Sequence, residues 1–234
     1  MTTPHRAVDV FPRVTPMARF GFCHLVPGLA MLAMAAPAWA HPHVWVTARA
    51  EILFTADGRV SGIRHAWTFD PGNSTFMTQG LGVNHDGEPT PDELRDLARE
   101  NTRSLAEFDY FTILKASGSG QEFSEPTESG MSLADEALTL TFVLPLKIPT
   151  DPGKAFSVEI YDPTYFVSVS MAAKDPVTLK GSPKGCAVAV TGPASPKSLT
   201  AQKPQQLSES FFQALTSASI SGGQFANRIR VSCP

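Results

Sequence analysis

The sequence predicts an α+β protein built mostly of antiparallel β-sheet in a sandwich-like arrangement, with two or three helices and one disulfide. Apolar residues recur at every second position from Val44 to Phe54 and again from Val60 to Asp70, which is the period of a strand with one buried face. Thr90-Pro91-Asp92-Glu93 is a complete helix start, with a cap, a first-turn proline and a glutamate that can bond back to the cap. Short β-type runs separated by Pro and Gly fill most of the remaining chain.

The first two strands are expected to form a hairpin. Asp57-Gly58 between them is a preferred pair for a two-residue turn. If these two residues are the turn, the numbers of paired residues sum to 115, so Glu51 faces Arg64 and Val46 faces Phe69. The first pair is of opposite charge and the second is apolar, so one register satisfies both faces of the sheet.

Three helices are expected. A short one covers 74–81, after Asp70-Pro71-Gly72 ends the second strand. The second starts at its cap Thr90 and places apolar residues along one face, namely Leu94, Leu97, Ala98 and Leu105. The third covers 208–218, behind a stretch at 192–206 whose Pro, Ser, Lys and Gln content is typical of a linker or surface loop.

The other strands are predicted from short β-type runs. They cover 110–115, 136–144, 155–161, 165–172, 186–191 and 225–233. Prolines are expected in the connections rather than inside the ladders, because proline cannot donate a ladder hydrogen bond. These prolines are Pro145, Pro149, Pro152, Pro163, Pro176 and Pro183.

Residues 1–40 have the layout of a cleaved signal peptide. Three arginines and one aspartate accompany an apolar run over 20–36, and Ala38 and Ala40 supply the small side chains that a signal peptidase requires. A membrane anchor is the competing interpretation, but prolines and a histidine interrupt the segment. The prediction is a periplasmic protein whose mature part, 41–234, is a single β-rich domain.

Charge and cysteine content limit the partners. Loss of the leader leaves a net charge of −5, which gives no reason to expect nucleic acid or an anionic membrane as a partner. Cys186 and Cys233 are the two remaining cysteines, and an even pair in an exported chain predicts a disulfide. A two-thiolate metal site is the alternative, and the spacing does not fit a zinc knuckle.

Every histidine of the expected mature chain lies near its start: His41, His43, His65 and His85. After cleavage, the α-amine and imidazole of His41 can chelate a metal ion together with the imidazole of His43, and such nitrogen donors suit nickel, cobalt, zinc or copper. In the predicted hairpin Asp70 lies diagonal to His43 at about 7 Å, and is the candidate third group, as a ligand or as an orienting residue. The alternative is that His41 and His43 are only polar residues of a frayed, solvated terminus and bind no metal ion.

Two nearby features are explained without a bound metal ion. His65 lies on the apolar face of the second strand and is expected to be a hydrogen-bonded core residue. The segment 82–93 can be aligned with a calcium-binding loop, in which positions three, five and twelve are Asn84, Asp86 and Glu93. The first position, where a carboxylate is needed, is Gly82. Calcium is therefore not expected, and Glu93 is explained by its place in the helix cap.

The corner Tyr161 to Phe166 joins two predicted strands with a dense group of aromatic residues. A turn in which Asp162 caps the backbone and the rings are buried is expected there. The sequence shows no Ser-His-Asp order, phosphate loop or paired-carboxylate spacing, so no catalytic residues are assigned.

Several motifs occur together in this chain: HPHVWV at the expected mature start, WTFD at 67–70, NHDGEPTPDEL at 84–94, EFDYF at 107–111, YDPTYFV at 161–167 and FANRIRVSCP at the end. In these motifs the chain resembles the uncharacterised bacterial periplasmic proteins that begin HPHV, a domain-of-unknown-function family labelled periplasmic component of an ABC-type transport system. The resemblance implies metal handling beside nickel/cobalt-type or zinc transporters. It places the family motif on His41, His43, Asp70 and Asp162. Family members often carry a fuller acidic calcium-like loop.

The expected function is that of a periplasmic transition-metal-binding accessory protein, which is not itself an enzyme and serves an inner-membrane metal transporter. One alternative is a copper-dependent redox enzyme in which the α-amine, His41 and His43 form a histidine brace. Another is a module without metal that docks on a membrane transporter through the aromatic corner.

Overall fold

Strands dominate the described part of the chain, in agreement with the predicted fold class. The computed structural model describes residues 42–82, 88–193 and 222–234. Contacts divide the chain into Met1–Ala38 and Trp39–Pro234, and all the described residues belong to the second unit. The helix expected over 208–218, most of the expected linker and the expected leader lie outside the described residues.

Eleven strands are described, in two sheets. They are β1 (Val44–Phe54), β2 (Val60–Phe69), β3 (Thr112–Ala116), β4 (Ser119–Gly120), β5 (Thr127–Ala134), β6 (Ala137–Thr150), β7 (Ala155–Ile160), β8 (Val167–Met171), β9 (Val177–Lys180), β10 (Ala187–Thr191) and β11 (Asn227–Ser232). Sheet A has the order β5-β6-β2-β1-β8, with β9 also beside β1, and sheet B has the order β10-β11-β7-β3-β4. The pairs are antiparallel except that β8 and β9 run parallel to β1.

The register of the first hairpin is as predicted, and its turn is one residue off. Val46 pairs with Phe69 and Glu51 with Arg64, whose guanidinium donates to the Glu51 carboxylate at 2.7 Å. The Gly58 N–H donates to the Thr55 carbonyl at 2.9 Å and Gly58 has φ +84°, so Gly58 follows the turn instead of forming its centre. A glycine in the left-handed backbone conformation after such a turn is common in β-hairpins with three-residue loops. A register shift between Leu53 and Phe54 then restores the predicted pairing.

The expectation that Pro145 and Pro149 lie in connections is wrong, because β6 continues through both. The pairing of β6 with β2 shifts here, beside Gly62. On its other edge, the Pro145 carbonyl accepts a hydrogen bond from the Ser124 N–H at 2.8 Å. A Cβ on Gly62 would lie 2.9 Å from the Pro145 Cα, so the glycine allows the close approach at the bulge.

Sequence reasoning misses three strands: β4, β5 and β9. β4 has two residues and β9 has four, and β5 is mostly polar and lies at the edge of sheet A. β4 and β9 are too short for alternation of apolar residues to identify them as strands, and β5 has few apolar residues. β4 and β5 pair with strands adjacent in the sequence, β3 and β6, and β9 pairs with the distant strand β1.

Two α-helices are described, α1 (Pro71–Met77) and α2 (Pro91–Leu105), with 3₁₀ segments at Ala106–Phe111 and Gly222–Phe225. α2 is confirmed together with its capping box at Thr90 and Glu93. α1 begins at Pro71 instead of 74, because the Asp70 side chain caps it. Neither α1 nor α2 combines the length and hydropathy needed to cross a bilayer.

The apolar faces of both sheets meet in a single core. Trp67 and Phe142 from sheet A are among its largest buried side chains, and Leu114 and Ile229 come from sheet B. The predicted disulfide joins Cys186, before β10, to Cys233, after β11. In the chain-entropy model a cross-link of this span contributes roughly 4 kcal/mol to stability.

His65 lies inside this core and is fully buried. Its Nε2 is 3.4 Å from the Thr112 hydroxyl, as expected for a hydrogen-bonded core histidine, and its ring stacks on Phe142 with centroids 4.9 Å apart. Its Nδ1 has no partner among the described residues. Burial disfavours the charged imidazolium and lowers the His65 pKa from 6.5 to about 3.

This shift predicts acid sensitivity. The unfolded chain takes up a proton at His65 near pH 6.5 whereas the folded chain does not until about pH 3. The free energy of unfolding should therefore be highest above pH 6.5 and fall between 6.5 and 3, by up to about 1.4 kcal/mol per pH unit from this residue. Urea unfolding across this range measures the slope. His65→Leu should flatten it, and a slope that His65→Leu leaves unchanged would contradict the assignment.

Candidate functional site

The residues singled out by the sequence meet at one end of sheet A. The start of β1, the end of β2 and the start of β8 lie side by side there. The His43 N–H donates to the Phe166 carbonyl at 2.9 Å, and the Asp70 N–H donates to the Trp45 carbonyl at 3.0 Å. The predicted pairing of Asp70 with Trp45 is thus present, and His43 lies two residues further along the same strand face.

Asp70 uses its carboxylate to organise the backbone at this end of the sheet. One oxygen accepts the Trp45 N–H at 3.1 Å and the other accepts the Asn73 N–H at 3.0 Å. The second bond caps α1, and the first continues the β1–β2 ladder by one residue. Asp70 therefore joins a strand start to a helix start.

Asp162 is buried, with 2 % of its surface exposed. One carboxylate oxygen accepts the N–H and the hydroxyl of Thr164, both at 2.8 Å, and the other accepts the Val167 N–H at 2.8 Å. These bonds form the turn expected from the sequence. The expectation that the rings are buried fails at Phe166, which is 47 % exposed, while Tyr165 stacks on Phe225 with centroids 3.8 Å apart.

His43 is exposed, and its ring packs against Phe166 with centroids 4.9 Å apart. His41 lies outside the described residues. Within the part of the chain that the structure describes, no three His, Cys, Asp or Glu side chains converge on a point where a metal ion could be held. The assignment of His41, His43, Asp70 and Asp162 to a metal site stays a prediction.

The calcium-like loop is described only at its ends, since Asn84 and Asp86 lie outside the described residues. Glu93 accepts hydrogen bonds from the Thr90 N–H at 2.7 Å, the Thr90 hydroxyl at 2.8 Å and the Gly82 N–H at 3.0 Å. Its carboxylate is thus used in capping α2 and in tying Gly82 to the helix start, as the capping explanation expects.

A cavity of about 530 Å³ opens beside these residues, and sequence reasoning did not find it. We call it the aromatic cavity. Sheet A, α1, α2, the Ala106–Phe111 segment and the corner at 162–167 all contribute to its wall. Three of its rings are exposed at the rim, those of Phe76, Phe108 and Phe166.

The sequence did hold a signal for this cavity. The motif WTFD supplies Trp67 and Phe69 to the wall, EFDYF supplies Phe108 and Phe111, and YDPTYFV supplies Asp162, Thr164, Phe166 and Val167. Motifs far apart in the chain thus converge on one space. The aromatic residues of these motifs are therefore the sequence feature that could have indicated a shared wall.

The backbone of the EFDYF motif is unusual. Asp109, Tyr110 and Phe111 are consecutive residues with φ of 50°, 53° and 50°. Non-glycine residues in the left-handed region cost of order 1 kcal/mol or more each, and such conformations concentrate at functional sites. The Phe111 ring at the end of this segment lies in the cavity wall, nearly parallel to Trp67 with centroids 6.2 Å apart.

Comparison with known proteins gives a family and little more. Residues 26–233 match the family model described as "Protein of unknown function (DUF1007)". An uncharacterized 15.5 kDa protein in the trpE 3' region of Spirochaeta aurantia is 30% identical over 104 residues, 44% of this chain and 74% of that protein. An uncharacterized protein of Haemophilus influenzae is 25% identical over 150 residues, 63% of this chain and 70% of that protein.

Among solved structures, the Biomphalaria glabrata acetylcholine-binding protein type 1 aligns with 82% of this chain and 86% of its own length. The sequence identity is 10% and the TM-score is 0.37. A TM-score at this level does not establish a common fold.

The geometry of the corner predicts the effect of Asp162→Asn. An amide has one oxygen, so one of the donors from Thr164 and Val167 must lose its acceptor and face an N–H₂ group. We expect a loss of about 1–3 kcal/mol in the free energy of unfolding, measured by urea titration. The matched control is Asp151→Asn, because Asp151 makes the same kind of turn bond to the Gly153 N–H at an exposed position. Equal effects of the two changes would contradict the role given to Asp162.

Proposed function

Starting from the finding that this chain belongs to the DUF1007 family, we propose that it is an exported, periplasmic protein that binds a transition metal ion for an inner-membrane transport system. Nickel, cobalt, zinc and copper are the candidate ions, and they are cargo in this proposal. The donors are the α-amine and imidazole of His41, set free by cleavage after Ala40, and the imidazole of His43. The observation that carries the proposal is the way His43 is held at the end of sheet A.

His43 is fixed on two sides although it is exposed. Its N–H bonds to the Phe166 carbonyl at 2.9 Å, and its ring packs on the Phe166 ring. A side chain held in this way loses little conformational freedom when it binds an ion, which favours binding. The mature terminus would begin only two residues earlier, so an amine at His41 has a short and anchored tether.

The two carboxylates have different roles in this proposal. Asp70 lies at the level of Trp45 on the same strand face as His43, and each of its oxygens accepts one backbone N–H, which leaves further lone pairs. It can serve as a third ligand or bond to a ligating imidazole. Asp162 is buried and has three donors, so it acts on the site by fixing the corner that carries Phe166.

The proposal predicts tight binding that depends on both the terminus and His43. The full chain is expressed with its leader, and mass spectrometry identifies the first residue of the exported protein, which should be His41. Calorimetric titration with nickel, cobalt, zinc and copper should give one site with a dissociation constant below about 100 μM for at least one ion. His43→Ala should weaken binding at least about tenfold, because an imidazole ligand is lost.

Two controls separate the site from adventitious binding. A protein with one additional residue before His41 moves the amine away from its imidazole and should also bind weakly. His85→Ala removes a histidine that the proposal does not use and should leave the affinity unchanged. Mature protein that begins elsewhere, or that binds none of the four ions more tightly than about 100 μM, would end the proposal.

A further inference from the structure

Sheet A has one face that points away from the core, which we call the outer face. Alternate residues of β1 point into the core and are buried, and the residues between them point outward. Three of these outward residues are exposed, namely Trp45, Thr47 and Arg49. The helices α1 and α2 lie on the opposite side of the sheet, since they share the aromatic cavity with the core residues Val46 and Trp67. The outer face of β1 is therefore accessible to a ligand.

A row of hydroxyl groups crosses the outer face. Strand pairing places one serine or threonine from each of β8, β1, β2, β6 and β5 side by side, in the order Ser170, Thr47, Thr68, Thr139 and Ser132. The hydroxyls of Thr68 and Thr139 bond to each other at 2.9 Å. Thr47 and Ser170 are exposed, and their hydroxyls bond to no described residue. These two neighbours can therefore both donate to a ligand and accept from it.

Trp45 adds an aromatic ring to this face. It is 53 % exposed. Its neighbours on the same face are small and polar, with Ser168 opposite it on β8 and Thr47 next along β1. The face of an aromatic ring is electronegative and attracts polarised C–H groups. An open ring beside free hydroxyls suits a ligand that presents both C–H and O–H groups, which is the chemistry of a sugar.

Arg49 gives the outer face a free positive charge. It lies four residues beyond Trp45 on the same side of β1, about 13 Å along the strand. Its guanidinium makes no ion pair or hydrogen bond with a described residue. The other arginine of this face, Arg64, is already paired with Glu51 and Glu128. A guanidinium binds a carboxylate through two parallel N–H donors, so the complementary charge on a ligand is a carboxylate.

The composition of the outer face favours a saccharide over other partners. The centre of a protein interface is usually an apolar patch, whereas here Trp45 stands among hydroxyls. An apolar ligand would remove water from Thr47 and Ser170 without replacing its hydrogen bonds. A nucleic acid or an anionic membrane would require several free cations, and Arg64 is not free.

We propose that the outer face of sheet A binds an acidic oligosaccharide. One sugar ring stacks on Trp45, sugar hydroxyls bond to Thr47 and Ser170, and the carboxylate of a further sugar pairs with Arg49. This site is independent of the metal site proposed above, because none of its interactions uses a histidine.

The test measures binding of three acidic probes by calorimetry, with a chelator present, to the exported protein expressed from its full-length chain. The probes are oligosaccharides of galacturonate, of mannuronate and of hyaluronate. At least one should bind with a dissociation constant below about 1 mM. The methyl ester of the probe that binds has the same sugars without the charge, and should bind about tenfold more weakly.

Arg49→Gln should remove the difference between the acid and its methyl ester, because the cation that distinguishes them is lost. The matched control is Arg230→Gln. Arg230 is also exposed and without an ion pair among the described residues, but it lies on β11 in sheet B. This control should leave the ratio of the two affinities as it is in the native protein.

Trp45→Ala should weaken the acid and the ester alike, by at least about tenfold, because both use the ring. The matched control is Ile148→Ala, at an apolar residue of β6 that is 75 % exposed. It should change neither affinity. The comparison of acid with ester in Arg49→Gln stands by itself if Trp45→Ala does not fold.

Three results would each overturn the proposal. They are the absence of binding of all three probes at about 1 mM, an acid-to-ester ratio that Arg49→Gln leaves unchanged, and equal effects of folded Trp45→Ala and Ile148→Ala. Because the titration is done with a chelator, failure here leaves the metal proposal untouched, and failure of the metal titration leaves this one untouched.

Discussion

A buried, hydrogen-bonded carboxylate at the crossover between the two sheets organises this molecule. β7 ends in sheet B at Ile160 and β8 begins in sheet A at Val167, so the corner between them must pass from one sheet to the other. Asp162 fixes that corner from within by accepting the N–H groups of Thr164 and Val167. Asn227 reinforces it, since its amide donates to the Ile160 carbonyl at 3.2 Å and to the Val169 carbonyl at 2.8 Å. Hydrogen bonds from these buried groups to the backbone favour one arrangement of the chain.

The position of His43 and the wall of the aromatic cavity both depend on this corner. Phe166 leaves it with its carbonyl bonded to the His43 N–H and its ring both against His43 and in the wall of the aromatic cavity. Asp70 supports the same end of sheet A by joining β1 to the start of α1. Asp70 and Asp162 thus organise the backbone around His43 and the wall of the aromatic cavity.

The sequence predicts what local rules determine. The hairpin register, the capping box at Thr90 and the Cys186–Cys233 pairing follow from period, capping chemistry and cysteine count, and the structure has all three. The edge strand β5 was not predicted because it is mostly polar, although it forms a hairpin with the next strand, β6. The passage of β6 through Pro145 could not be predicted, because it depends on pairing with the distant strand β2. The aromatic cavity was not predicted, because its wall brings together residues that are far apart in the chain. Asp162 accepts backbone N–H groups in its turn, as the sequence predicts. The two backbone N–H groups that Asp70 accepts depend on contacts that spacing alone does not reveal.

Amide hydrogen exchange tests the central claim most directly. Thr164 and Gly153 have the same kind of turn bond, from a backbone N–H to an aspartate two residues earlier, but Asp162 is buried and Asp151 is exposed. If the buried carboxylate holds the crossover, the Thr164 and Val167 amides should exchange as slowly as those of the neighbouring strands, while Gly153 exchanges rapidly. Exchange of Val167 as fast as that of Gly153 would show that the corner opens freely and would contradict the account.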